Sequence, residues 1–271
     1  MMNSTYLYLL SPLHTGATTQ EGNLLGIARE SHTNLPYIPS STIRGRLRAS
    51  VLDKELRFKL FGTELKDSQQ LEQGDIWIGD ASILWLPVPS LSHSVVWISC
   101  PMLLRRWLRS AGSNSSIPAD YSCNFTDGKS PVYLKDAIIQ ADKLNKWENS
   151  KVFLPANIPG TIDINRMLVL PDQHCTTLMQ MSLWRQVKIK LDEHKSVDGG
   201  FRYEEAIPPD TLMYFSSGTT SQANGSSQKS DADFKELLAQ NQILQIGGQE
   251  SLGRGFVQQF NNGFNNGFSN G

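Results

Sequence analysis

Three arginines and a glycine crowd the stretch Ile38-Pro39-Ser40-Ser41-Thr42-Ile43-Arg44-Gly45-Arg46-Leu47-Arg48. The chemistry they suit is the grip of an anion. The pattern is a tight turn feeding a helix, and a helix start combines unpaired N–H groups with the positive end of the macrodipole. Ser40 or Ser41 can cap it. Gly45 has no side chain, so a phosphate backbone can come close. Arg44 and Arg48 stand four apart and share one face. Ile43, Leu47 and Val51 repeat at the same spacing on a face that packs inward. An ordinary amphipathic helix with a solvated basic face fits the segment equally well.

A second stretch, Gly247-Gly248-Gln249-Glu250-Ser251-Leu252-Gly253-Arg254-Gly255, offers backbone free of side chains with one arginine in its midst. Taken alone it reads first as tight turns beside a strand. Val187, Ile189 and Leu191 alternate with Lys188 and Lys190 as a strand with one basic face. Asp192–Gly200 then reads as a turn and Phe201–Tyr203 as the returning strand, which makes a projecting basic hairpin. Single-stranded RNA held by its backbone needs cations and N–H donors along a groove. His14 suits a general base or a donor to RNA, although a lone histidine after a short strand is more often a structural hydrogen bonder. His32, His93, His174 and His194 have no metal-ligand spacing.

Regular elements must place these residues. Tyr6–Leu10 reads as a strand and Ser11–Pro39 as a long polar loop of the functional or mobile kind. A helix is expected from about Thr42 to Leu60. Strands are expected at Asp75–Asp80, Ser82–Val88 and Val95–Ile98. Pro101 opens a helix with Leu104, Trp107 and Leu108 on one side and Arg105, Arg106 and Arg109 bordering the other. Asn114–Gly160 carries turn signals and one short helix near Leu134–Leu144. Thr211–Phe215 reads as a strand, Ser216–Ser230 as a loose connection, and Phe234, Leu237 and Leu238 as a short helix.

The 271 residues suffice for a substantial core. No apolar run approaches the roughly 20 residues of a membrane span. No secretory signal is visible at the N-terminus. Three widely spaced cysteines have no zinc or disulfide spacing, so the cytoplasm is the expected compartment. The net charge of −1 argues against a simple basic nucleic-acid binder. Positive charge is local instead, at Arg44/Arg46/Arg48, Arg105/Arg106/Arg109 and Arg185/Lys188/Lys190.

Five segments together resemble the RAMP superfamily of CRISPR systems, and within it the repeating backbone subunit of type III-B (Cmr) effector complexes. They are Leu13-His14-Thr15-Gly16; Arg29-Glu30 followed by Pro39 to Arg48; Gly79-Asp80-Ala81 with Leu86-Pro87-Val88 and Ser90-Leu91; Tyr203-Glu204-Glu205 before Pro208 and Thr211-Leu212; and Gly247 to Gly255. The family has a glycine where Ser40 stands and a lysine or arginine where Arg44 stands.

The resemblance implies an α+β fold: a modified RRM-like (ferredoxin-like) palm with inserted loops and a protruding thumb hairpin at about 186–205. One domain over 1–258 is expected, with a loose loop at about 216–230 and a disordered Phe-Asn-Asn-Gly tail over 259–271. It implies guide (CRISPR) RNA, target RNA, further copies of the chain and other Cmr-complex subunits as partners, and no membrane. Copies would stack along the guide, each thumb displacing one base of the guide–target duplex. The expected RNA-binding residues are His14, Ser41, Arg44, Gly45, Arg48, Lys188, Lys190, Gly247, Gly248, Gly253, Arg254 and Gly255, the two glycine-bearing stretches converging on one positive trough. RNA binding needs no metal. Target cleavage in the family resembles attack of a ribose 2′-hydroxyl on the adjacent phosphate, with Mg2+ or Mn2+ required. The family's catalytic aspartate position falls at Leu24, with Asn23 beside it. Neither is a carboxylate; Glu21 is the nearest acidic residue and Glu30 the next. The leading expectation is therefore a structural RNA-binding subunit. The alternatives are a metal-dependent target endoribonuclease and a metal-free guide-processing enzyme with His14 as base.

Overall fold

Asn3–Leu9 (β1) alternates tyrosine and leucine, and both faces are buried. Tyr6 and Tyr8 enter one apolar cluster, and Leu7 and Leu9 enter another. A strand buried on both faces belongs in the middle of a covered sheet. The computed structural model describes residues 3–21, 24–63, 72–126, 128–221, 223 and 227–261, and β1 lies there between two antiparallel neighbours, β14 (Leu212–Thr219) and β16 (Phe256–Asn261).

The chain runs β1, β2 (Gly16–Glu21), β3 (Leu24–Ile27), α1 (Ser40–Ser50), α2 (Lys54–Phe61), β4 (Ile76–Ile78), β5 (Ser82–Ser90), β6 (Ser94–Ser99) and α3 (Pro101–Ala111). Then come β7 (Ser122–Cys123), β8 (Val132–Leu134), β9 (Ala137–Ile139), β10 (Asn145–Lys146), β11 (Met167–Val169) and α4 (Asp172–Met181). β12 (Trp184–Leu191), β13 (Val197–Ala206), β14, α5 (Ser227–Gln240), β15 (Ile243–Gln245) and β16 complete it. The main sheet has the order β10-β7-β11-β6-β5-β14-β1-β16-β15, with β4 on β14 and the β8–β9 hairpin on β5. α1, α2, α4 and α5 cover one face through Ile43, Leu47, Phe61, Leu178 and Phe234. α3 covers the other with Leu104, Trp107 and Leu108, joined by Phe153, Ile162 and Ile164. A second sheet, β12-β13-β3-β2, projects as the expected hairpin plus two more strands.

Several expectations change. The helix over 42–60 is two helices: Val51 is extended, and the Asp53 carboxylate accepts from the Leu56 N–H at 2.8 Å to start α2. Leu134–Leu144 is a hairpin and a 3-10 turn rather than a short helix. The long polar loop contains β2 and β3, because the β13 strand offers β3 an edge to pair with. Of the expected loose connection over 216–230, residues 216–219 belong to β14 and 227–230 to α5, while 222 and 224–226 lie outside the described residues. The expected tail starts too early: Phe260 is 5% exposed and stacks on Tyr6 at 5.5 Å, while 262–271 lie outside the described residues. Among the described residues no helix is long and apolar enough to cross a membrane.

Candidate nucleic-acid interface

The projecting hairpin pairs Val187 with Tyr203, Lys188 with Arg202 and Ile189 with Phe201. Strand alternation therefore puts Arg185, Val187, Ile189, Phe201, Tyr203 and Glu205 on one face, and Gln186, Lys188, Lys190, Arg202 and Glu204 on the other. The first face is apolar and exposed at Val187, Ile189, Phe201 and Tyr203. The rings of Phe201 and Tyr203 meet edge to face with centroids 5.5 Å apart. The second face is cationic.

At the hairpin's root two consecutive carboxylates are buried, Glu204 at 0% and Glu205 at 1% exposure. Burying a lone carboxylate costs several kcal/mol, so each must be paired. Glu205 accepts from Arg29 Nη2 at 2.7 Å and from Arg185 Nε at 3.0 Å. Glu204 Oε2 takes Lys188 Nζ at 2.7 Å and Arg254 Nη1 at 3.0 Å, while Arg202 Nη2 lies 3.2 Å from Oε1. Burial alone would raise the Glu204 carboxyl, but Lys188, Gln249 and Arg254 outweigh it and hold it below the usual carboxylate range. Five cations meet two carboxylates, so the root keeps a positive surplus.

Arg254 is drawn inward, contrary to its expected role as a phosphate ligand. It donates to Gln186 Oε1 at 2.6 Å and to Gln249, and it lies over the Trp184 ring at 4.5 Å. Its glycine neighbours are structural at two positions. A Cβ on Gly247 would stand 2.4 Å from the His14 carbonyl oxygen, and one on Gly255 would stand 1.9 Å from the Ile246 oxygen. A Cβ on Gly253 would meet open space, and one on Gly248 would lie 3.7 Å from the His14 ring. His14 is buried with Nδ1 2.8 Å from the Glu205 carbonyl oxygen. A carbonyl only accepts, so Nδ1 carries the proton and the ring buttresses the hairpin root. Of the two expected hairpin lysines, Lys188 is tied to Glu204 and Lys190 is exposed.

The first stretch also changes character. No side chain of α1 caps it; the Ser40 N–H goes to Asp80 Oδ1 at 2.6 Å, so an internal carboxylate answers the helix start. Arg44 donates to the carbonyls of Ile76 (3.0 Å) and Phe61 (2.7 Å), and Arg48 to those of Phe61 (2.9 Å) and Gly62 (2.7 Å). The last carbonyls of a helix lack partners within it, and the two arginines supply them for α2. Burial, then Arg48, lowers the Arg44 pKa. Ser41, Gly45 and Arg46 remain exposed, and among the described residues nothing pairs with Arg46.

A backbone ladder connects the two stretches. The N–H of Gly248 reaches His14 (3.0 Å), that of Ala28 reaches Thr15 (3.1 Å), that of Tyr37 reaches Ala28 (3.2 Å), and that of Ile38 reaches Ala81 (3.0 Å). Arg29 and Glu30 leave this ladder in two directions: Arg29 to Glu205, Glu30 to Arg106 of α3 at 2.5 Å. Sequence reasoning missed Arg202 and the role of Arg29. The signal for Arg202 was the alternation of charge across a hairpin whose register was unknown, and that for Arg29 was only its place in the Arg29-Glu30 pair.

Leu24 stands opposite Tyr203 on β13 and opposite Glu21 on β2. Asn23 lies outside the described residues. Among the described residues no group of three His, Cys, Asp or Glu could hold a metal ion, and Leu24 brings no ligand oxygen, so no chemical step is derived through a divalent ion.

An α+β body, one large sheet with helices on both faces, carrying a cation-rooted hairpin is the architecture that emerges. Residues 6–258 match the RAMP superfamily, and the chain belongs to it. It is 31% identical to the CRISPR system Cmr endoribonuclease Cmr4 of Pyrococcus furiosus, over 93% of this chain and 92% of that protein. The crystal structure of oligomeric Cmr4 from Pyrococcus furiosus matches with a TM-score of 0.69 at 25% identity, covering 96% of this chain and 98% of that one. The cryo-EM structure of type III-B Cmr-beta bound to cognate target RNA has the same fold, with a TM-score of 0.75 at 20% identity over 96% of each chain.

Proposed function

We propose that this chain is a backbone subunit of a type III-B CRISPR effector complex in the cytoplasm. It grips guide RNA by its sugar-phosphate rail, stacks with further copies of itself and with other subunits, and uses the hairpin as a thumb that spaces the guide–target duplex. The palm that carries the thumb is read as RRM-like. The observation that carries this reading is the hairpin root, where five cations on two buried carboxylates fix the arm to the body and leave a local positive surplus. Such a root holds its charges in place without a strongly basic chain, and phosphates are read regardless of base sequence. The relative's name and the oligomeric and RNA-bound states of the matching structures support the same assignment.

The test is binding of the full chain to single-stranded RNA of unrelated sequences over a salt series. The expected result is similar affinity for all of them, falling steeply with salt. Affinity indifferent to salt would refute it.

A second reading, target endoribonuclease, is favoured by the name of the 31% identical relative, a Cmr endoribonuclease. Glu21 is the acidic residue nearest in sequence to Leu24 and is the carboxylate to test. Assembled complex, guide and complementary RNA are incubated with Mg2+ or Mn2+. Periodic products abolished by Glu21→Ala support this reading, and uncut target removes it.

A further inference from the structure

We infer that Arg185 and Arg202 are phosphate ligands on opposite faces of the thumb root, each aimed by one of the consecutive buried carboxylates Glu205 and Glu204. This inference rests on the RNA-binding reading above and names where on the thumb the strand is held.

The five cations of the root divide by exposure. Arg254, Arg29 and Lys188 are 5%, 23% and 27% exposed, whereas Arg185 and Arg202 are 56% and 58% exposed. The inner three use their donors on the protein. The outer two leave most or all of theirs unused. Arg185 is directly opposite Glu205 in the hairpin and contacts it through Nε. That leaves the Nη donors of its fork directed away from the carboxylate, and among the described residues nothing else engages them. Arg202 approaches Glu204 Oε1 at 3.2 Å, yet Oε1 makes no hydrogen bond. Its charge is held near the carboxylate while its donors remain unused.

A guanidinium offers five N–H groups in a planar fork that matches two phosphate oxygens. Holding the fork beside a fixed carboxylate, by a hydrogen bond for Arg185 and by charge alone for Arg202, reduces the side-chain freedom lost when a ligand binds. Glu204 and Glu205 are themselves immobile, because Arg254 and Lys188 hold one and Arg29 the other. Consecutive strand residues face opposite ways, so the two forks serve phosphodiesters on the two sides of the hairpin. The ligand is a ribose-phosphate backbone, read without regard to base. Glu204 and Glu205 are positioning residues and do not touch it.

The full chain is titrated with single-stranded RNA across a salt series. Arg185→Ala and Arg202→Ala are each expected to weaken binding and to lower the slope of log affinity against log salt by about 0.7, one phosphate contact each. Both side chains are more than half exposed, so the variants fold. Their effects add, since they act on separate faces. Glu205→Gln is expected to weaken binding in the parent chain and to have no further effect in Arg185→Ala; a purely structural role would weaken both backgrounds alike. Parent binding that is salt-dependent, together with both alanine variants keeping the parental affinity and slope, overturns this inference and leaves the RNA-binding reading standing. A parent chain that does not bind RNA overturns both.

Discussion

Replacing Arg254 with alanine separates two uses of a conspicuous arginine: phosphate ligand in a glycine-rich loop, or internal strut. Its side chain is 5% exposed, and its ion-pair partner Glu204 is fully buried. The substitution removes the 3.0 Å ion pair, the bonds to Gln186 and Gln249, and the cation lying over Trp184. Deleting one partner of a buried pair typically costs about 3–5 kcal/mol. Lys188 still contacts the same Glu204 oxygen at 2.7 Å, which favours the lower end of that range, and the lost stacking adds about 1 kcal/mol. A total near 4 kcal/mol corresponds to a melting temperature lowered by roughly 10 °C in a chain of this size. Circular dichroism melting of the full chain reads this directly, and RNA affinity is compared well below the transition, where the variant is folded. An unchanged melting temperature with lost RNA affinity and a shallower salt slope would refute the reasoning and return Arg254 to the phosphate.

The α1 arginines divide in the same way. Arg44→Ala is expected to cost about 2 kcal/mol through its lost carbonyl contacts and to leave the salt slope unchanged, whereas Arg46→Ala leaves the melting temperature in place and lowers the slope by about 0.7. The depressed Glu204 carboxyl gives acid sensitivity with a definite sign. Its pairing contributes stability in full above the unfolded glutamate value of about 4.3, and that stability is lost as pH falls through the lower folded value. Melting temperatures measured downward from pH 7 should therefore fall off in acid, and less steeply in Glu204→Gln. In the glycine run, Gly253→Ala should cost only the about 1–2 kcal/mol of a left-handed alanine, and Gly247→Ala clearly more because of the His14 carbonyl; urea midpoints compare them.

Elements whose own residues fix them were legible. α3 opens on Pro101 and buries Leu104, Trp107 and Leu108, and the thumb alternates from Val187 onward with Gly199 and Gly200 at φ 83° and 96° near its turn. Elements fixed by neighbours were not. Val51 and Leu52 fit a continuing helix, and only the Asp53 cap ends it; Leu52 is left 94% exposed. β2 and β3 are strands because β3 pairs with β13 and β2 with β3, a partnership their own residues do not announce. The candidate site was hard to read for a related reason. An arginine on a helix or in a glycine loop looks equally available to phosphate and to protein, and only the fold shows which carbonyl or carboxylate reaches it first. Arg44, Arg48 and Arg254 were reached by Phe61, Gly62 and Glu204.

Whole-chain charge and local geometry also make opposite forecasts, and one substitution separates them. By composition, a net charge of −1 is a handicap for an RNA binder, and Glu205→Gln, which removes a negative charge, should strengthen binding at low salt. By geometry, that carboxylate holds Arg29 and Arg185 in place, and its loss frees a guanidinium that must then be ordered again by the ligand. A freed arginine loses rotamer entropy on binding, on the order of 0.5–1.5 kcal/mol for a long side chain. A change of one unit in net charge is largely screened beyond about 8 Å at physiological salt. At such salt the local term wins, so the more positive protein should bind RNA more weakly. Tighter binding by Glu205→Gln across the salt range would show that the acidic residues at the root merely dilute the field.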